Sequence, residues 1–193
     1  MSRARTIALG LLVLFGSPSV AQAQMSGLGC SRIICFVVSG GFTVPAADMA
    51  DFHDAGFHYD ASAILNIPGL PIAIRPEFSL TQFKLKDAQT IPTGVDDVTK
   101  MYSAMANIEL GLGGGLYVLA GGGVLSLNSA DFSGTGTDNS ETKFSFDAGA
   151  GYRFKLGGIH GFLEARVGSA SYDQGTFAFE KAAFIPFSFG LVF

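Results

Sequence analysis

Between residues 142 and 154 the chain alternates without a break. Phe144, Phe146, Ala148, Ala150, Tyr152 and Phe154 fall on one parity, and Ser145, Asp147, Gly149, Gly151 and Arg153 on the other. Successive side chains of a strand point to opposite faces, whereas a helix repeats every ~3.6 residues. This stretch therefore makes one apolar and one polar face only as a β-strand, and a one-residue slip would exchange the two faces.

Four further segments carry the same pattern. In 99–112, Tyr102, Ala104, Ala106, Ile108 and Leu110 oppose Ser103, Met105, Asn107 and Glu109. In 161–172, Leu163, Ala165 and Val167 oppose Glu164, Arg166, Gly168 and Ala170. In 72–86, Ile74, Phe78 and Leu80 oppose Arg75, Glu77 and Ser79. In 182–193, Ile185, Phe187, Phe189, Leu191 and Phe193 oppose Phe184, Ser188, Gly190 and Val192. Three more strands are expected at 35–44, 56–67 and 116–128; the last has small or apolar residues on both faces, so its register stays open. The 26 glycines also argue against long helices, since each interior Gly costs about 1 kcal/mol relative to Ala.

Eight strands are thus expected, and the connections alternate in length. Those at 66–71, 111–115 and 155–160 are short; those at 45–55, 85–98, 129–141 and 173–181 are longer and polar. Short turns at one end and long loops at the other mark a transmembrane β-barrel. Alternation alone would also suit a soluble sandwich or a lipocalin-like barrel, whose apolar face points to a core. Two features favour an outward apolar face. Aromatics gather near strand ends, with Tyr59, Phe78, Tyr102, Phe144 and Tyr172 toward the long loops, and Tyr117, Tyr152, Phe154, Phe162 and Phe193 toward the short turns. Interfacial girdles have that distribution. The polar faces also hold Arg75, Glu77, Glu109, Asp147, Arg153, Glu164 and Arg166, near-balanced charges that can pair inside a small lumen. An eight-stranded interior is just wide enough for side chains to fill, although Gly149, Gly151, Gly168 and Gly190 could leave local voids along a narrow path.

Residues 1–23 read as a signal peptide. Arg3 and Arg5 supply the positive start, 7–15 the apolar stretch and Ala21-Gln22-Ala23 the cleavage site. The expected organisation is a leader at 1–23, a short periplasmic segment at 24–34 and one barrel domain at 35–193. An exported chain makes a disulfide between Cys30 and Cys35 plausible, of modest effect because the loop is short. Two cysteines alone make a poor metal site, and no metal or cofactor is expected. The formal charge of -4 and the lack of a basic tract argue against a nucleic-acid partner.

The chain resembles the small bacterial outer-membrane barrel proteins with OmpA/OmpX-like eight-stranded domains, over nearly all of 35–193. The terminal Phe193, with Leu191, Phe189, Phe187 and Ile185 on its face, matches the C-terminal assembly signal of that family, apart from Leu191 where an aromatic is usual. Gly40-Gly41-Phe42-Thr43-Val44-Pro45 resembles its glycine-rich first strand. The resemblance implies outer-membrane residence, periplasmic termini, exposed long loops, and contact with outer-membrane lipid, lipopolysaccharide and the barrel-assembly machinery. A monomer is expected. It names a scaffold and no activity.

Candidates for chemistry are few. His53 sits among Asp51 and Asp54 in the first long loop, and His58, Asp60 and Ser62 share one strand face. Residues two apart on a strand are spread along its axis, so a triad is not expected there; the histidines read as solvated rim residues, and His160 as a turn residue. The acids Asp48, Asp51, Asp54, Asp87, Asp96, Asp97, Asp131, Asp138 and Asp173 lack a calcium-loop pattern. The expected role is structural or surface contact through the long loops, without catalysis. The alternatives are a lipid-modifying enzyme at the rim and a narrow, low-conductance pore.

Overall fold

The computed structural model describes residues 32–86, 98–129, 139–172 and 181–193. The leader, Cys30 and the loop acids Asp87, Asp96, Asp97, Asp131, Asp138 and Asp173 lie outside the described residues. The elements are β1 (Ile34–Ala46), α1 (Met49–Phe52), β2 (Gly56–Asn66), β3 (Ile72–Lys84), β4 (Val98–Gly113), β5 (Leu116–Ser129), β6 (Asn139–Leu156), β7 (Ile159–Ser171) and β8 (Lys181–Val192). All strands pair antiparallel with their sequence neighbours, and β8 returns to β1, so the sheet closes as β1-β2-β3-β4-β5-β6-β7-β8. Closure satisfies every strand edge, which a sheet in hydrocarbon requires.

The seam at β1 and β8 ends on the last residue. The Phe193 amide donates to the Phe36 carbonyl at 2.9 Å, and the Phe36 amide donates back at 3.3 Å. At the same end β4 reaches β5 through Gly114 and Gly115, both at positive φ, a conformation that side chains rarely adopt. Gly157 and Gly158 alone join β6 to β7. At the other end, 47–55 is not open loop throughout: α1 forms there, which strand periodicity did not indicate.

The alternation resolves as an apolar wall around a polar interior. Phe146 is 64% exposed while its neighbour Ser145 is 0% exposed. Phe36, Phe57, Phe78, Ile108, Leu163 and Phe189 stand on the same outer wall. The open register of β5 is settled by its pairing. Leu116, Val118 and Val124 face out, and Tyr117, Leu119, Leu125 and Leu127 face in. Three aromatics expected at the girdles are instead inside: Tyr117, Phe162 and Tyr172 are all buried. Parity decides this. Tyr117 and Phe162 sit on the parity of the charged residues, where each ring meets a guanidinium, and the Tyr172 hydroxyl donates to the Leu125 carbonyl at 3.2 Å.

Candidate functional site: a filled lumen

The interior is layered. Toward the short turns Cys35, Val37, Ile64, Ala73, Phe162 and Val192 pack together. Toward the long loops Met49, Phe83, Met101, Leu125, Leu127, Tyr172 and Phe184 form a second apolar cluster with Ala170 and Ala182. Met49 reaches that cluster from α1, so the first loop folds back over the mouth. His53 and Lys86 hold it there. The His53 Nε2 lies 3.0 Å from Thr99 Oγ1, its ring packs edge-on to Phe83, and Lys86 Nζ donates to the Ala50 carbonyl at 2.6 Å. His53 is thus buried rather than solvated, and desolvation pushes its imidazole below the ordinary 6.5, partly offset by its bond to the Met49 carbonyl.

All seven of the charged residues picked from the polar faces point inward: Arg75, Glu77, Asp147, Glu164 and Arg166 lie between the apolar layers, and Glu109 and Arg153 lie level with the short-turn cluster, across from Ala73 and Phe162. Arg153 grips Glu109 in a two-pronged pair, with Nη2 donating to Oε2 at 2.6 Å and Nη1 to Oε1. Glu164 accepts from Arg75 Nη1 at 2.8 Å, from the Tyr117 hydroxyl at 2.6 Å and from Arg166 Nε at 2.6 Å. Arg166 donates to both Glu77 oxygens at 2.7 Å and to Asp147 at 3.0 Å. Arg75 completes the web with Glu77 at 3.1 Å and with Ser62 Oγ at 3.0 Å. The five donors of a guanidinium fork suit such shared carboxylates. A guanidinium on the lipid face would cost about 2–4 kcal/mol at the midplane.

The inward glycines are sockets, not voids. A methyl group at Gly149 would strike Arg166, at Gly151 the Tyr117 ring, at Gly168 the Phe184 ring and at Gly190 the Phe162 ring. Small residues thus admit the large side chains that fill the lumen. A cavity above the charge layer measures about 30 Å³ and is lined by His58, Asp60, Asp147, Arg166 and several hydroxyls. A water needs roughly 10–15 Å³ by this measure, so the space suits about two waters.

His58 is also buried, against the expectation of a solvated rim. Its Nδ1 meets Thr43 Oγ1 and its Nε2 meets Ser188 Oγ, both at 2.9 Å. Asp60 Oδ2 lies 3.4 Å from that Nε2 and accepts from Ser39 Oγ at 3.0 Å. Ser62 is not part of this group, since its hydroxyl serves Arg75. The pairing of His58 with Ser188 escaped sequence reading because 130 residues separate them. Barrel closure brings β2 and β8 to either side of β1, and the inward parity of Ser188 was the available signal. His160 pairs with Lys155 near the β6–β7 turn and is half-buried. Cys35 is fully buried, and among the described residues no cysteine is a free thiol. Among those residues no group of acids, histidines or cysteines is placed to hold a metal.

The barrel is similar to solved structures of other proteins, among them the following two. Neisserial surface protein A matches with a TM-score of 0.58 at 14% identity, over 83% of this chain and 96% of that one. Ail, the attachment invasion locus protein of Yersinia pestis, matches with a TM-score of 0.56 at 17% identity, over 82% of this chain and 98% of that one. At such identities the likeness is one of fold. No family model and no curated protein matches the sequence. The architecture is that of the OmpA/OmpX-like eight-stranded barrels.

Proposed function

We propose that this chain is a monomeric integral outer-membrane barrel that serves as a scaffold for surface contact, with its short turns periplasmic and its long loops outside. The observation that carries this reading is the interior: three guanidiniums and their carboxylates are held in one web, with apolar packing toward either end. A lumen filled in this way supports a structural member rather than a conduit. Catalysis is disfavoured by the same geometry. His58 and Ser188 are a hydrogen-bonded base and hydroxyl, but they face a space for about two waters, out of reach of a lipid substrate. The apolar wall supports a lipid environment, lipopolysaccharide included, and the exposed aromatics Phe187, Phe189 and Phe193 of the β8 edge give the assembly machinery a face to recognise.

Conductance in a planar bilayer tests this function. The purified barrel should insert without unitary current steps. Discrete steps that change in Arg166→Ala or Glu164→Ala would replace the scaffold with a pore. Turnover of lipid A that disappears in His58→Ala would replace it with an enzyme.

A further inference from the structure

The lumen holds more acid than base. Arg153 and Glu109 match one to one, and Arg75 and Arg166 match Glu77 and Glu164. Asp60 and Asp147 are left over, with side chains only 9% and 8% exposed. Two buried carboxylates thus exceed the guanidiniums. Counting the pair of Glu141 and Lys143 at the mouth changes nothing, since that pair is itself neutral. The other described cations, Arg32, Lys84, Lys86, Lys100, Lys155 and Lys181, are exposed. Segments 24–31, 87–97, 130–138 and 173–180 contain no Lys or Arg, so none of them can bring the missing charge. A protonated His58, 3.4 Å from Asp60, would offset one of the two carboxylates and leave the other.

Both surplus acids line the cavity of about 30 Å³ above the charge layer. Asp147 Oδ2 accepts from Arg166 at 3.0 Å, but Oδ1 is buried with no hydrogen-bond partner among the described residues. Ser145, two residues away on the same face of β6, cannot serve it. Its hydroxyl donates to the Ser169 carbonyl at 3.2 Å, so only lone pairs remain to face the cavity. Two oxygens that can only accept therefore line one small polar space. A water could donate to them, but it brings no charge, and a buried charge without a counter-ion is costly. A cation meets both needs, and hard cations take oxygen ligands. A divalent ion would want at least three acids or histidines together, and no such group exists among the described residues. A space for about two waters suits a small monovalent ion that keeps one water.

We propose that this cavity is a binding site for a sodium-sized monovalent cation, ligated by Asp147 Oδ1 and Ser145 Oγ, with Asp60 as the second carboxylate that it balances. The site requires the closed barrel but no particular role for the loops, so it goes beyond the scaffold reading. It makes the cation a structural part of the filled lumen.

The test is urea unfolding of the mature chain folded in phosphatidylcholine vesicles, with sodium chloride exchanged for tetramethylammonium chloride at constant ionic strength. Gel mobility of unheated samples reads the folded fraction. A single site that exists only in the folded barrel raises the folded-to-unfolded ratio by up to about tenfold for each tenfold rise in sodium above its dissociation constant. Asp147→Asn should abolish that response. Ser145→Ala, which keeps every charge, should shift it to several-fold higher sodium. Asp51→Asn, an exposed acid on α1, should leave it unchanged. Equal stability in the two salts would overturn the site. So would an undiminished sodium response in Asp147→Asn, or in Ser145→Ala if the Asn variant does not fold. A ratio that ignores sodium but falls about tenfold per pH unit as pH rises would assign the missing charge to a bound proton and likewise overturn the site. A chain that fails to enter vesicles at all would instead refute the barrel reading.

Discussion

Glu164→Gln is the sharpest test of the lumen. Glu164 is 5% exposed and takes hydrogen bonds from Arg75, Tyr117 and Arg166. A charge-assisted bond contributes about 1.5–3 kcal/mol and a neutral one about 0.5–1.5. Neutralising the acceptor therefore costs about 1 kcal/mol per bond. The new amide group must also point its hydrogens at one set of donors, leaving at least one guanidinium hydrogen unmet. The sum is about 3–4 kcal/mol, consistent with about 3–5 for breaking a buried ion pair from one side. Asp60→Asn is the control, since Asp60 accepts from Ser39 and only approaches His58; it should cost less than about 1 kcal/mol. The assay is urea unfolding of barrels folded in vesicles, with the folded fraction read from gel mobility without heating. If Glu164→Gln unfolds within about half a kcal/mol of wild type, the charge web is not what holds the interior, and the argument fails.

Three other perturbations have definite outcomes. Removing Phe193 deletes both backbone bonds to Phe36 at the seam and the last outward aromatic, so the yield of assembled barrel in the outer membrane should fall sharply; an unchanged yield by membrane fractionation counts against a closing role for β8. Because His53 titrates below its ordinary 6.5 in the closed lid, the folded form binds fewer protons than the open one, and the contribution of neutral His53 is full above pH 6.5 and lost as pH falls through the lowered value. The protection factors of amides at 47–54, taken relative to intrinsic exchange at each pH, should therefore fall on acidification below pH 6.5 in wild type and much less in His53→Gln. Gly151→Ala puts a methyl into the Tyr117 ring and should cost more than about 1 kcal/mol, while Gly158→Ala, with open space around it, should be near neutral in the same urea assay.

The fold was legible because alternation is a local property. Each of the segments around Phe146, Ile108 and Leu163 announces its two faces within a dozen residues, and an apolar face on every strand suits a lipid-facing wall. Tyr117 and Phe162 lie near strand ends yet point inward, because parity and not nearness to an end sets which side of the wall a ring occupies. The charged residues could be named from sequence, but not who holds whom. Arg75 and Glu164 are 89 residues apart, and only closure and strand stagger decide that they meet. The glycines show the same limit. Sequence gives a small residue at 151, but the ring that needs the space comes from the neighbouring strand. Burial of His53 was hidden for a related reason, since a loop that folds back over the mouth has no periodicity to betray it.

The outward sense of the apolar wall is the claim on which the rest stands, and the chain contains no Trp, so a single introduced one reports alone. Phe146→Trp, folded in vesicles of brominated phosphatidylcholine, is the measurement. The barrel predicts blue-shifted emission that bromine quenches strongly, because residue 146 touches acyl chains. Emission that is blue-shifted but unquenched would place residue 146 in a protein core and contradict the transmembrane barrel.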